Sequence, residues 1–447
     1  MDIVINGGVI IDPKNKVYSR LNLGIKNGKV AKISKEKLQG KREIDATGLY
    51  ITPGFIDTHM HEDPIIDGEI KINIFDKMLR MGVTSCLGGN CGIGPTNIQE
   101  YLEKIDKGNS VNFGMFLPHK ILRDYIGAED RYKPTSSEEI EKMYNYGKEI
   151  IEKNKLFGIS FGIKYIPGTN FEELVKLSKL GENKIVSAHI RDDANNVIEA
   201  ISEFLKIGDY VDTHLQVSHI GSMAGFGQME EVFDLINEKR YEGKSIACDC
   251  YPYAAFSTKL GETTFDDGFI EKYNTTYDKL EIADGELKGK RCSEESFFKL
   301  RKEHPETMMV AHVMNEDDIR KALSDPNTII ASDGILGIHG NGHPRAAGTF
   351  PRVISKYVKE EKLLPLYSAI EKMTSLPAEI YKLDRGNLSI GSIGDITIFS
   401  LEEIEDKATF AENQLGPTGI KYVLIGGEIA LKDGEIINNK LGKTIRR

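Results

Sequence analysis

Short apolar runs that read as strands recur along residues 50–333, separated by longer segments whose apolar residues return with helical spacing. The runs are "LYITPGFIDTHMH", "GVTSCLGG", "VNFGMFLPH", "ISFGIKYIPG", "KIVSAHIR", "HLQVSHIG", "SIACDCYPY", "MMVAHV" and "TIIASDG". Stretches such as "SEEIEKMYNYGKEIIEK" and "NVIEAISEFLKIG" supply helices between them. This alternation predicts an α/β fold with a mostly parallel sheet, and about eight units predict a closed (β/α)8 barrel of the TIM type. Nine runs compete for eight places. "MMVAHV" is expected outside, because it follows the irregular, charged stretch 256–304. So long an excursion from a compact domain reads as a lid or subdomain.

The two ends of the chain echo each other. "VINGGVII" and "VLIGGEIAL" are both apolar β-type runs around a tight Gly turn, and "LKDGEII" continues the second pattern. One small β-sandwich built from residues 1–51 and 386–447 is the simplest arrangement, with the barrel occupying 52–385. A length of 447 residues suits a barrel with such an appendage.

Charge and cysteine content narrow the setting. The net charge of −10 argues against nucleic acid or an anionic membrane as partner. No apolar run approaches the roughly 18 residues that span a bilayer. The start "MDIVINGGVIID" lacks the basic and apolar regions of a signal peptide. The cysteines at 86, 91, 248, 250 and 292 are dispersed and odd in number, which suggests reduced thiols and a cytoplasmic protein. A homo-oligomer is compatible with all of this.

Metal-competent residues close several of the strand runs: His59 and His61, Cys91, His189, His219 and Asp333. In parallel α/β folds the C-terminal strand ends meet at one mouth, where active sites lie. In a strand, residues i and i+2 share a face, so His59 and His61 can reach one ion. Asp57 is a candidate to orient one of their rings. Cys91 sits in "GGNCGIGP", where glycines let the backbone approach a site closely. A buried small hydrophobe and a nucleophile are its other readings, but beside several histidines a thiolate suits zinc. His189 in "SAHIRDD" and His219 in "VSHIG" stand at equivalent strand ends. Asp333 in "IIASDGI" is placed to accept a proton, a helix cap being the plainer use of S-D-G. His312 reads as structural, and His119 as structural or as support for a ligand.

With these residues assembled, the chain resembles the amidohydrolase superfamily and, within it, the N-acyl-D-amino-acid deacylase (D-aminoacylase) family. The resemblance rests on "PGFIDTHMHED", "GNCG", "HIR", "SHI", "DCYPY", "SDG" with "HPRAAGTFPRV", and "TSLPAEIYKLDRGNLSIGSIGDITIF" with the closing "DGEIINNKLGKTIRR". It implies that Cys91, His189 and His219 hold a tight zinc, with His59, His61 and Asp333 as a second, weaker position. It implies that Asp333 takes a proton from water and passes it to the leaving amine. Arg345 of "HPR" would grip the substrate α-carboxylate, helped by Tyr253 of "YPY". The expected activity is therefore zinc-dependent hydrolysis of the amide bond of small N-acyl-D-amino acids.

Two departures bear on specificity. After "SH" the run "IGSMAGFGQM" carries no cation where family members often have a lysine. "GIKY" puts Lys164 where a neutral or acidic residue is common, so Lys164 is expected to contact an acidic substrate side chain, become carboxylated between metals, or sit solvated at the rim. The rivals are a cyclic amidase of the dihydroorotase or hydantoinase type, and a dipeptidase acting on dipeptides with a C-terminal D-residue. A metal-free scaffold is the reading from outside enzymology, and the full ligand set opposes it.

Overall fold

The protein is described here by a computed structural model covering residues 1–71 and 74–447. Six parallel strands lie side by side in the order Leu117–Pro118, Gly158–Gly162, Ile185–His189, His214–Val217, Ile246–Cys250 and Thr328–Ile330. A second parallel sheet contains Asn112–Met115, Val83–Gly88 and Phe55–Asp57. The two sheets meet at both ends. Asn112–Met115 and Leu117–Pro118 are one run interrupted at Phe116, whose N–H donates to Gly88 O at 3.0 Å. At the other end a parallel bridge pairs Met60 with Gly334. There Asp333 N donates to His59 O at 2.7 Å and His61 N to Gly334 O at 2.9 Å. The class is α/β, as the alternation predicts.

The helices form where the sequence places them. Ser137–Asn154 starts with a reciprocal cap between Ser136 and Glu139 and buries Ile140, Met143, Gly147 and Ile151. Val197–Leu205 buries Val197, Ala200, Ile201 and Phe204, one face of the 3.6-residue period. Helix cover leaves Val83–Gly88 and Ile185–His189 buried along their whole length. That is why they read as continuous apolar runs instead of alternating ones.

Strands from both termini share one seven-stranded sheet, in the order Glu435–Ile436, Glu428–Lys432, Ile420–Ile425, Ile396–Phe399, Tyr50–Pro53, Val9–Asp12, Val17–Arg20. A four-stranded sheet comes from Ile3–Asn6, Asn22–Lys26, Lys29–Ser34 and Arg42–Asp45. Ile5, Ile10, Leu23, Ile51, Ile396 and Leu424 form one buried cluster that joins the two. The run "YITPGFID" therefore serves two sheets, because Tyr50–Pro53 pairs with Ile396–Phe399 and Phe55–Asp57 with Val83–Gly88. The break falls at Gly54, a few residues later than expected, where Gly54 N donates to Asp395 O at 2.8 Å.

Met308–Ala311 lies in an antiparallel sheet between Phe256–Lys259 and Leu280–Ile282. The excursion thus continues to Ala311 instead of ending at 304, because its central strand comes last in sequence. Among the described residues no helix is long and apolar enough to cross a membrane.

The C-terminal residues return to the parallel strands. Phe113 N donates to Lys443 O at 3.0 Å, and Ile445 N to Phe113 O at 2.8 Å. Ile445 is buried with Leu87, Phe116, Phe157, Ile185 and Ile329. Truncating a buried Ile to Ala costs about 2–5 kcal/mol, and a site near the chain end should lie at the low end of that range. Ile445→Ala should accordingly lower the apparent Tm by a few degrees in a thermal scan; an unchanged Tm would show that the tail contributes no packing.

Candidate metal centre and active-site cavity

The candidate ligands sit just beyond strand ends, and three of them have left-handed backbones: Cys91 (φ 52°), His219 (φ 33°) and Asp333 (φ 47°). Such conformations turn a side chain out of the strand direction, and they persist only where the surroundings hold them. For Cys91 the surroundings are explicit. Asn90 Nδ2 donates to Leu87 O at 2.9 Å and to Thr58 O at 3.3 Å, pinning the turn. Gly92 has φ +69°, and a Cβ there would stand 2.5 Å from Gly162 N, so only glycine lets the turn lie against that strand.

Cys91 Sγ lies 3.3 Å from both His59 Nε2 and His219 Nε2. Both rings are oriented from behind. His59 Nδ1 donates to Asp249 Oδ1 at 3.0 Å. His219 Nδ1 faces Ser222 Oγ at 2.9 Å, and that hydroxyl donates to His219 O at 3.0 Å, so the ring is the donor. With Nδ1 engaged in this way, both Nε2 atoms point at one place beside the sulfur. Asp249 also accepts from His219 N at 2.7 Å and from Gln216 Nε2 at 3.0 Å.

Two triads converge within 4.8 Å: His59, Cys91, His219 and His59, His61, Asp333. His59 therefore joins both sets, whereas the sequence reading gave it only to the second. His189 stands alongside, its ring centroid 4.6 Å from that of His219. Both of its ring nitrogens are buried without a hydrogen-bond partner. Buried polar atoms are rarely left so, and an imidazole with free nitrogens beside a thiolate fits a cation that would complete it. The donor set of sulfur, nitrogen and carboxylate oxygen suits zinc.

Electrostatics favour the same reading. Burial alone would raise the Cys91 thiol, but His59 and His219 overcome it and hold the group well below the usual thiol range. Burial, followed by His219, lowers His189 to about 4, which leaves a neutral ring with an available lone pair. Burial would raise Asp333, yet Arg345 and His219 hold it well below the usual carboxylate range.

Asp333 bridges metal site and cavity. Its Oδ1 accepts from His61 Nε2 at 3.1 Å, and its Oδ2 pairs with Arg345 Nη1 at 2.9 Å. Arg345 is buried, stacks 4.5 Å from the Tyr251 ring, and leaves Nε unpartnered. Its N–H donates to His343 Nδ1 at 3.0 Å, fixing the start of helix Arg345–Arg352. A cavity of about 530 Å³ opens over these groups, lined among others by His61, Cys91, His189, Asp333, Arg345 and Phe256–Lys259. That volume suits a small molecule.

Several sequence expectations need correcting. Tyr253 does not line the cavity, because its hydroxyl donates to Asp406 Oδ2 at 2.8 Å and its ring packs under Arg352. Tyr251 is the tyrosine that touches Arg345. Lys164 is neither solvated nor free to bind substrate: its Nζ lies 2.8 Å from Asp192 and 3.3 Å from Asp193. Burial opposes its charge, but the two carboxylates outweigh it and raise its pKa, which disfavours the neutral amine that carboxylation requires. Asp57 accepts from the His59 and Ser332 backbone N–H groups, not from a ring; Asp249 holds the ring instead. His119 is bound to Glu173 and His312 to Glu281, away from the candidate ligands. Asp249, Ser222 and His343 were missed. Asp249 had a signal, being the one charged residue in the buried strand Ile246–Cys250.

A sequence profile described as the amidohydrolase family matches residues 297–431. D-aminoacylase from Alcaligenes xylosoxydans xylosoxydans is 28% identical over 488 residues, covering 100% of this chain and 98% of its own. The crystal structure of N-acyl-D-glutamate deacylase from Bordetella bronchiseptica, complexed with zinc and a phosphonate inhibitor, superposes with a TM-score of 0.88 at 25% identity, covering 100% of both chains. A dihydroorotase from Geobacter metallireducens is more distant, at 23% identity over 92% of this chain and 91% of its own. The resemblance drawn from the motifs holds along the whole chain.

Groups that orient metal-binding imidazoles typically contribute 10–100-fold to metal affinity. Asp249→Asn keeps the shape but loses the charge and one acceptor, so zinc affinity measured by chelator competition should fall by about that factor. Unchanged affinity would remove Asp249 from the site.

Proposed function

We propose, from this whole-chain similarity to amidohydrolases of the D-aminoacylase kind, that the protein is a zinc-dependent hydrolase of N-acyl-D-amino acids. It releases a D-amino acid and a carboxylate from a small linear amide. The observation that carries this reading is the convergence of Cys91 Sγ with two Nε2 atoms, in one cavity with the Asp333–Arg345 pair.

Cys91, His189 and His219 hold the tight zinc, and His59, His61 and Asp333 form the weaker position. The contact of Cys91 with His219 and the unpartnered His189 nitrogens support the first set, and the grouping of His59 with His61 and Asp333 supports the second, although His59 also lies beside Cys91. Zinc bound there supplies a Lewis acid and lowers the pKa of water from about 16 towards 7. Asp333, kept ionised by Arg345, takes the proton from the attacking water and delivers it to the leaving amine nitrogen. Arg345 offers the α-carboxylate a planar fork with a free Nε–H. Hydantoins and dihydropyrimidines lack that free carboxylate, which sets cyclic amidases of the hydantoinase type apart.

In the same reading the eight parallel strands form a closed (β/α)8 barrel, supported by the pairing between Met60 and Gly334. The two terminal segments form a β-sandwich beside it, and the excursion from 256 lies over the mouth, supported by Phe256–Lys259 in the cavity wall. Five free, buried cysteines suit a cytoplasmic location.

Purified protein should retain close to one zinc per chain by elemental analysis, and Cys91→Ala should lose it. General acid–base groups contribute about 10²–10⁴-fold, so Asp333→Asn should lower kcat by at least that order while keeping the tight zinc. Full activity in that variant would sink the mechanism. Arg345→Lys keeps the charge but not the fork, so it should raise KM and weaken the preference for a free α-carboxylate over the α-amide. An unchanged acid-to-amide preference would remove the main support for the substrate class.

A further inference from the structure

The cavity contains a carboxylate that the reaction above does not use. Glu62 follows His61 in sequence and lines the cavity together with Pro64, Ile93 and Gly94. Its Oε2 accepts from Gly89 N at 2.8 Å. The glycines around Cys91 make its seat. A Cβ on Gly94 would stand 3.0 Å from Oε1, and one on Gly88 would overlap Oε2. One oxygen is thus fixed on the cysteine turn, and the carboxylate forms part of the cavity wall.

The basic side chains of the cavity wall are all committed. Lys120 binds Asp124 at 2.7 Å, Arg131 binds Glu262 at 3.0 Å, and Lys259 binds Glu306 at 2.6 Å. Arg345 pairs with Asp333 at 2.9 Å and donates Nη2 to Ser257 O at 3.2 Å, and its Nε–H serves the α-carboxylate in the reading above. Lys164 is held by Asp192 and Asp193. Glu62, by contrast, takes part in no ion pair among the described residues; burial pushes its carboxyl above the usual range, against the opposing N–H of Gly89 and the neighbouring His61. A second substrate carboxylate would meet no free cation here and one fixed like charge.

We propose that Glu62 sets the side-chain specificity of the cavity, excluding N-acyl-D-amino acids with an acidic side chain and favouring those whose side chain carries a hydrogen-bond donor. The assignment rests on the hydrolase reading above. It separates this chain from its structural relative, the N-acyl-D-glutamate deacylase, in substrate charge. Like charges a few Å apart in a partly desolvated site repel strongly enough for a discrimination of at least about tenfold.

The test compares N-acetyl-D-glutamine with N-acetyl-D-glutamate, which are nearly isosteric, on the zinc-loaded full chain. Wild type should favour the glutamine substrate by about tenfold or more in kcat/KM, mostly through KM. Glu62→Gln keeps an oxygen for Gly89 N, and it should shrink that ratio to within about threefold. A wild-type preference for glutamate, or a glutamine preference that survives Glu62→Gln, overturns the assignment. Calorimetric binding of D-glutamine and D-glutamate to the same holoprotein gives a readout independent of turnover. Better binding of D-glutamine without hydrolysis of either substrate would sustain the Glu62 assignment and defeat the hydrolase reading. Equal hydrolysis and equal binding would do the reverse.

Discussion

Asp249 lies in a strand buried on both faces and accepts hydrogen bonds from the His59 ring, the His219 backbone and the Gln216 amide. A carboxylate taken out of water is tolerable only when it is satisfied in this way. Its donors come from two separate parts of the chain, His59 and the segment 216–219, and both must arrive in register. Gln216 is paired with Ala247 and Val217 with Cys248, which puts His219 one residue beyond the level of Asp249, with its N–H in reach of that carboxylate. Slipping either strand by one residue would turn Asp249 to the opposite face and leave a buried charge unpaired. The carboxylate thereby fixes the direction of His59 Nε2 and the turn that carries His219, the two nitrogens beside Cys91.

That arrangement demands backbone conformations the strands would not adopt by themselves. Cys91, His219 and Asp333 all have positive φ, at a cost of about 1–3 kcal/mol each. The compensation comes from hydrogen bonds both near and far in sequence. Asn90 holds one turn on Leu87 O and Thr58 O. Ser222 caps the His219 carbonyl and ring. Asp333 N is bound to His59 O, so the last strand end is tied to the first. The cavity is thus pre-organised by contacts spanning almost the whole α/β unit.

The convergence of the candidate ligands at the strand ends was legible because polar residues that close apolar runs have few structural reasons to be there. The partners of those residues were less so. Asp249 sits inside "IACDC", where a strand motif absorbed it, although its charge in a wholly apolar setting was the available clue. Lys164 finds its carboxylates 28 and 29 residues later, a pairing that spacing cannot show. Tyr251 and Tyr253 are equally plausible neighbours of Arg345 in "YPY", and only the packing separates them: one ring lies on Arg345, the other on Arg352. The split of "YITPGFID" between two sheets was invisible because both halves are buried strands.

In the proposed mechanism, the Asp333–Arg345 pair couples binding to proton transfer in this cavity. Arg345 gives Nη1 to Asp333 and Nη2 to Ser257 O, which leaves Nε as its free donor. A substrate carboxylate that takes the full planar fork must draw part of it away from Asp333. The same event that seats the substrate therefore changes the surroundings of the proton acceptor, while His61 keeps its hold on the other oxygen. Groups coupled in this way do not contribute additively. Losses from changing Asp333 and Arg345 together should be smaller than the sum of the separate losses, since each variant already disrupts the ion pair on which the other depends.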